Sequence, residues 1–335
     1  MPEMLEQIQS LGSQLRWAAQ TEAPTVGTNS EVLYAGMGGS GIAGDYLRAV
    51  AEPFGTRVTV HKGYGPIPLW AVRQRQLVVA ASYSGNTEET LEVAVAGHES
   101  GLSVATVTTG GRLAELSENH GWPSIQVPTG KQPRAAVGYM VGAALRVLEG
   151  AYAIDDQRLN FVEAADIADA ALTEGSPEWI QAEAIATSLS ARIPIIYGGG
   201  PVSGVVAQRW KTQINENAKV PAWYSILPEL DHNEITGWET LANLTKESLG
   251  IVALRDKSDH DRIGPRLAHT SALTEDAVPW VGEVTSRGVS LLARLISLTI
   301  VGDLVSWMLA NQAGVDPVPV ATIEKLKKLL AEENL

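Results

Sequence analysis

LVVAASYSGNTEETLEVAVAG, Leu77 to Gly97, passes from an apolar run through a hydroxyl-dense turn into a segment of helical spacing. Leu77 to Ala81 reads as a buried strand, and Glu88 onward as a helix with Asn86 or Thr87 at its N-cap. A buried strand handing over to a helix is the repeating unit of a sheet covered by helices. The turn itself has a chemistry. Free backbone N–H groups and the positive end of the helix dipole converge there, and Ser82, Ser84 and Thr87 add hydroxyl donors around one anion. Gly85 lets the backbone approach closely. The turn therefore reads as a phosphate cradle.

The same alternation extends outward in both directions. Strands are expected near Val32 to Ala35, Arg57 to His61, Leu77 to Ala81, Ser103 to Val107 and Ser124 to Val127, with helices near Ile42, Thr87, Arg112 and Ala135. The segment Ala151 to Leu159 breaks the alternation and opens an alanine-rich helical stretch, which places a domain boundary there. The expected domains are residues 1–153, with the phosphate loop, and residues 154–335. The second half restarts with Ile193 to Tyr197 and the glycine-rich GGGPVSG. Laid over VLYAGMGGSGIAGDYL without gaps, PIIYGGGPVSGVVAQRW matches Tyr34 with Tyr197, Gly36 with Gly199, Ser40 with Ser203 and Gly41 with Gly204. A duplicated unit follows, with two α/β domains facing each other across a cleft at the carboxyl ends of their strands.

Composition excludes several classes of function. The 335 residues carry a net charge of −13, which argues against general affinity for nucleic acid or anionic lipid. An acidic chain that binds a phosphorylated ligand must build a local positive site from a few cations, amides and helix ends. There is no cysteine, so disulfides, thiolate metal sites and cysteine nucleophiles are excluded together, and a reducing cytoplasm fits. The N-terminal segment Met1 to Gln20 reads as an amphipathic helix with no signal-peptide pattern. The longest apolar tract, Val289 to Ala310, matches a membrane span in length, but Arg294 and Asp303 within it favour a buried core helix.

Gly36-Met37-Gly38-Gly39-Ser40-Gly41 satisfies the G-x-G-x-x-G dinucleotide pattern. The acidic residue wanted at the end of the second strand is missing, since that strand ends Val60-His61-Lys62. The rival reading has Gly38, Gly39 and Ser40 presenting amides and a hydroxyl to a sugar or phosphate beside the second loop. In the second half, Gln208 to Lys219 reads as a helix ending in Asn215-Glu216-Asn217. After a short strand, Ala222 to Leu227, comes Glu229-Leu230-Asp231-His232-Asn233-Glu234. Glu216 and His232 suit proton transfer on a polar substrate, although each also reads as a solvated surface residue.

These segments, with QPRAAVGY at Gln132 to Tyr139 and DPVPVATIEKLK at Asp316 to Lys327, resemble the bifunctional phosphoglucose/phosphomannose isomerases, built from two sugar-isomerase (SIS) domains. The resemblance spans nearly the whole chain in order. It implies two three-layer α/β/α domains with mainly parallel sheets and a C-terminal helix. It further implies an aldose–ketose isomerase acting on hexose 6-phosphates through a cis-enediol, without cofactor or metal. By resemblance, Glu216 is the base that moves a proton between C1 and C2, Arg134 stands by the enediolate oxygen, and His232 assists ring opening from the partner subunit of a homodimer. Lys327 would enter the cleft from the terminal helix, with Lys325 and Lys328 as neighbours. Gly38, Gly39, Ser40, Ser82, Ser84 and Thr87 would bind the phosphorylated substrate. The alternatives are a non-catalytic phosphosugar-binding protein and a nicotinamide-dependent oxidoreductase. Trp210, Trp223 and Trp238 read as core or interface residues rather than sugar platforms.

Overall fold

A computed structural model describes residues 2–333. The first sheet is built from β1 (Glu31–Ala35), β2 (Arg57–His61), β3 (Leu77–Ser82), β4 (Val104–Thr108) and β5 (Ser124–Gln126). All its pairings are parallel, in the order β2-β1-β3-β4-β5. The second sheet contains β6 (Ile193–Gly198), β7 (Trp223–Ile226), β8 (Leu249–Arg255) and β9 (Trp280–Thr285), again parallel, ordered β7-β6-β8-β9. The order β2-β1-β3-β4 is thus repeated as β7-β6-β8-β9, which makes β3 and β8 equivalent.

The helices through the first sheet are α1 (Pro2–Gln9), α2 (Leu11–Gln20), α3 (Gly38–Ala51), α4 (Leu69–Arg73), α5 (Glu88–Glu99), α6 (Gly111–His120) and α7 (Val137–Gly150). Those that follow are α8 (Arg158–Ala171), α9 (Pro177–Ser188), α10 (Ser203–Gln213), α11 (Glu234–Gly237), α12 (Ala242–Ser248), α13 (Ile263–Thr274), α14 (Leu291–Ala313) and α15 (Ala321–Glu332). The N-terminal segment forms two helices rather than one. Ser10 separates them, and its hydroxyl donates to the carbonyl of Gln7 at 2.6 Å, the local competition that serine offers a helical backbone.

Strand alternation assigns the two faces of each sheet. On β1, Val32 and Tyr34 join a large core with α3 and α7, while Leu33 and Ala35 pack with Val93 and Ala94 of α5 and Leu113 of α6 on the other face. On β6, Ile196 joins the same large core, and Ile195 and Tyr197 pack with Ile263 and Leu267 of α13. Burial on both faces explains why β3 reads LVVAAS without alternation. The large core contains residues of α2, α7, α8, α10 and α14, so one helical layer lies between the sheets and serves both.

Helix α14 is the axis of that layer. Ser290 caps it, accepting from the Ala293 N–H at 3.1 Å, and Gly314 closes it in the left-handed conformation. It is long and apolar enough to cross a membrane, and 89% of its most apolar window is buried inside the protein. The two charges that interrupt the tract are both buried and paired. Arg294 meets Asp256 at 2.8 Å, and Asp303 meets Arg209 at 2.7 Å. Removing one partner of such a pair typically costs about 3–5 kcal/mol.

Candidate active site

The turn after β3 closes around its own hydroxyls. Ser82 and Thr87 hydroxyls lie 2.8 Å apart, Ser84 approaches Ser82 at 3.5 Å, and the Gly85 N–H donates to Ser82 Oγ at 3.1 Å. Thr87 stands at the N-cap of α5 without capping it, so its hydroxyl is committed to the turn. Gly85 has φ +71°, and a Cβ there would lie 1.8 Å from the Gly110 carbonyl oxygen, which leaves glycine as the only fit.

This turn is tied to the first glycine loop. The Tyr83 N–H donates to Ser40 Oγ at 3.1 Å, and Ser40 sits in the first turn of α3. On its other side the loop abuts the strand of chain that carries Arg134. A Cβ on Gly39 would lie 2.8 Å from the Pro133 carbonyl and 3.2 Å from Arg134 Cα, so a side chain at that position would push the two apart. Lys62, at the end of β2, is ion-paired with the buried Asp45.

Arg134 is the bridge to the second half. Its residue is 3% exposed, and its Nη1 faces Glu216 Oε2 at 3.5 Å. Its other donors are held by neutral acceptors. Nε donates to Asn217 Oδ1 at 2.6 Å, Nη2 to the carbonyls of Pro317 at 2.5 Å and Val318 at 3.0 Å, and Nη1 to Gln132 Oε1 at 3.3 Å. Burial lowers the Arg134 pKa and the charge of Glu216 works against that loss. A guanidinium remains protonated through any ordinary pH.

Glu216 does not lie on a regular α-helix as its sequence context predicts. Helix α10 ends at Gln213 and is followed by a single π turn, Ile214–Ala218, which Lys219 ends in the left-handed conformation at φ +58°. π turns recur at functional sites. This one aims two consecutive side chains, Glu216 and Asn217, at the same guanidinium. Lys219 folds back as well, donating to the carbonyls of Glu216 and, at 2.7 Å, Pro319. Burial and the neighbouring Arg134 charge lower its pKa.

Within one chain, then, Ser40, Ser82, Ser84 and Thr87 adjoin one another, and Gly39 links them to Arg134 and Glu216. His232 and Lys327 stand apart. His232 is exposed at the end of a short 3₁₀ turn, Glu229–His232, and Lys327 is exposed on α15; neither side chain makes a hydrogen bond or ion pair with another described residue. Asn217, Lys219 and Gln132 were not singled out from the sequence, although all three belong to the motifs that carry Glu216 and Arg134. Asn217 and Lys219 acquire their roles from the π turn, which has no clear residue signature. Among the described residues, no group of three or more His, Asp or Glu is placed to hold a metal ion.

The equivalent place in the second half is filled from within. The N–H groups of Gly199 and Gly200 both donate to Ser203 Oγ, at 2.9 and 3.1 Å, and Ser203 donates to Asp259 Oδ1 at 2.9 Å. Asp259 comes from the turn after β8 and also accepts from the Asp256 N–H at 2.8 Å. Its side chain is 2% exposed.

Two parallel α/β units of repeated strand order, joined at an Arg134–Glu216 contact, define a double SIS-domain protein. A solved structure of a hypothetical protein from Thermus thermophilus shares the fold, with TM-score 0.71 over 99% of this chain and 92% of that one at 15% identity. Residues 179–330 match the family model described as bacterial phospho-glucose isomerase C-terminal SIS domain. A protein from Caldicellulosiruptor bescii named bifunctional phosphoglucose/phosphomannose isomerase is 37% identical over 99% of this chain and 97% of its own. One from Sulfolobus acidocaldarius named D-glucosamine-6-phosphate 4-epimerase is 28% identical over 93% of this chain and 92% of its own. The chain belongs to the bifunctional phosphoglucose/phosphomannose isomerase family.

Proposed function

We propose that this protein interconverts fructose 6-phosphate with glucose 6-phosphate, mannose 6-phosphate or both. The observation that carries the reading is the 3.5 Å approach of Arg134, from the first half, to Glu216, from the second, beside a hydroxyl-lined anion turn. In the open-chain ketose, the Glu216 carboxylate takes the proton from C1 as the C2 carbonyl becomes an enediolate. Arg134 Nη1 faces the oxygen on which negative charge grows, the kind of contact that stabilises a transition state more than a ground state. Glu216 then returns the proton to C2, the C1 carbonyl forms, and the hydroxyl proton moves from O1 to O2. Ser82, Ser84, Thr87 and Ser40, with Gly38 and Gly39 amides, hold the phosphate.

The remaining roles follow the family resemblance. His232, exposed on one chain, would complete the site of a second copy in a cytoplasmic homodimer, and Lys327 would join the cleft from α15. A coupled assay starting from fructose 6-phosphate, scoring glucose 6-phosphate and mannose 6-phosphate separately in D2O, tests the reaction. Product carrying deuterium at C2, acquired wherever the proton on Glu216 exchanges with solvent before its return, is the expected result. Binding of fructose 6-phosphate without product would instead favour a phosphosugar-binding protein, and turnover of glucosamine 6-phosphate alone would favour the chemistry named for the Sulfolobus relative.

A further inference from the structure

We propose that Asn217 is a positioning residue, one that aims the Arg134 guanidinium so that Nη1 alone is left to meet the reacting oxygens. The proposal rests on the isomerase reading and adds a residue to it. Of the donors on Arg134, Nε is fixed by Asn217 Oδ1 at 2.6 Å and Nη2 by two backbone carbonyls. Only Nη1 faces Glu216, and its 3.3 Å bond to Gln132 is the longest the guanidinium makes. Asn217 is therefore the side chain that sets the rotation of the planar fork.

Asn217 is itself held. It is fully buried, and its Nδ2 donates to Ser306 Oγ on α14 at 2.9 Å, which orients the amide with its oxygen toward Arg134. Ser306 donates in turn to the Asp303 carbonyl at 2.7 Å. The Asp303 carboxylate takes Arg209 and Gln213, and Arg209 also donates to the Arg134 carbonyl at 3.0 Å. Side chain and backbone of Arg134 thus both refer to the central helix. An asparagine suits the task better than an aspartate would. A carboxylate at 2.6 Å would share the guanidinium's charge with Glu216 and the substrate, whereas a neutral carbonyl fixes the geometry and leaves the charge available.

The test has a readout apart from turnover. In the intact protein, the Arg134 Nε–H should give a slowly exchanging nitrogen-15 NMR signal, assigned by its absence in Arg134→Lys and lost or fast-exchanging in Asn217→Ala. With fructose 6-phosphate, Asn217→Ala should lower kcat roughly 10- to 100-fold, the scale of a misplaced catalytic group, with KM changed by no more than about threefold. In an Arg134→Lys background the same substitution should cost less than about twofold, because the group it positions is gone. Ser306→Ala, a smaller change, should reproduce the pattern at reduced size if Asn217→Ala does not fold. An unchanged Arg134 Nε–H signal, or an equal fall of kcat in both backgrounds, overturns the proposal. Loss of the signal in a protein whose wild type has no isomerase activity would refute the reaction and leave the positioning intact.

Discussion

The turn after β3 and the turn after β8 occupy the same place in two sheets of the same strand order, and they meet the demand for an anion in opposite ways. The first gathers Ser82, Ser84 and Thr87, with Ser40 beside them, and among the described residues no carboxylate is hydrogen-bonded to these hydroxyls. The second sends Asp259 onto Ser203, so the amides of Gly199 and Gly200 are satisfied through a hydroxyl that is already anchored to a buried acid. A strand-to-helix cradle attracts negative charge wherever it is built. Whether it binds a ligand depends on whether the chain fills it first. In this protein the repeated strand order supplies two such places, and in the proposed reaction the second half contributes the base instead of a second anion site.

That division can be broken in order of expected effect. Glu216→Gln removes the proposed base and should lower kcat by about 10²–10⁴-fold, measured with fructose 6-phosphate at saturation, with the fold intact by circular dichroism. Arg134→Lys keeps a charge but loses the planar fork held by Asn217, Pro317 and Val318, and kcat should fall by about 10²–10³-fold. Retention of normal turnover in either variant would move the chemistry away from the junction of the two halves.

The sharper contrast pairs Ser84→Ala with Ser203→Ala. Loss of Ser84 should raise KM roughly ten- to hundredfold at little cost in stability, as expected for one hydrogen bond to a charged group. Ser203→Ala should leave KM unchanged and destabilise the chain by about 1–3 kcal/mol in urea, because two N–H groups lose their acceptor. If both variants behaved alike, the two turns would not have diverged. The smallest effect concerns pH. Burial raises the Asp259 carboxyl pKa, against its hydrogen bonds from the Asp256 N–H and Ser203. A carboxyl raised on folding contributes stability that is complete below its unfolded value of about 3.9 and is lost as pH rises through the folded value. The penalty of Asp259→Ala should therefore be greater in mild acid than at neutral pH, and an equal penalty at both would remove its ionisation from the account.

Much of this was legible in the chain because local pattern and tertiary role coincide. The strand Leu77–Ser82 and the long helix over Leu291–Ala313 are marked by apolar runs that the fold buries. Ser82, Ser84 and Thr87 are close in sequence, so their convergence needs only a turn. Other features depend on partners far along the chain. Arg294 and Asp303 pointed to a buried helix, but nothing local names Asp256 and Arg209 as their partners. The match of Ser40 with Ser203 was visible, whereas the acid that closes the second loop lies 56 residues beyond Ser203. The π turn that aims both Glu216 and Asn217 at Arg134 reads in sequence as an ordinary helix end, since insertion of one wider turn is decided by packing against α14 and by the hydrogen bond from Asn217 to Ser306. His232 and Lys327 remain on the surface of a single chain, where a motif shared with a family says nothing of which copy they serve.

A structure of the protein with fructose 6-phosphate bound tests the central claim most directly. The account predicts the phosphate in the Ser82–Thr87 turn beside Ser40, and C1 and C2 of the sugar against the Glu216 carboxylate and Arg134 Nη1. A phosphate seated instead at Ser203, with Asp259 displaced, or a sugar whose reacting carbons lie away from Glu216, would contradict it.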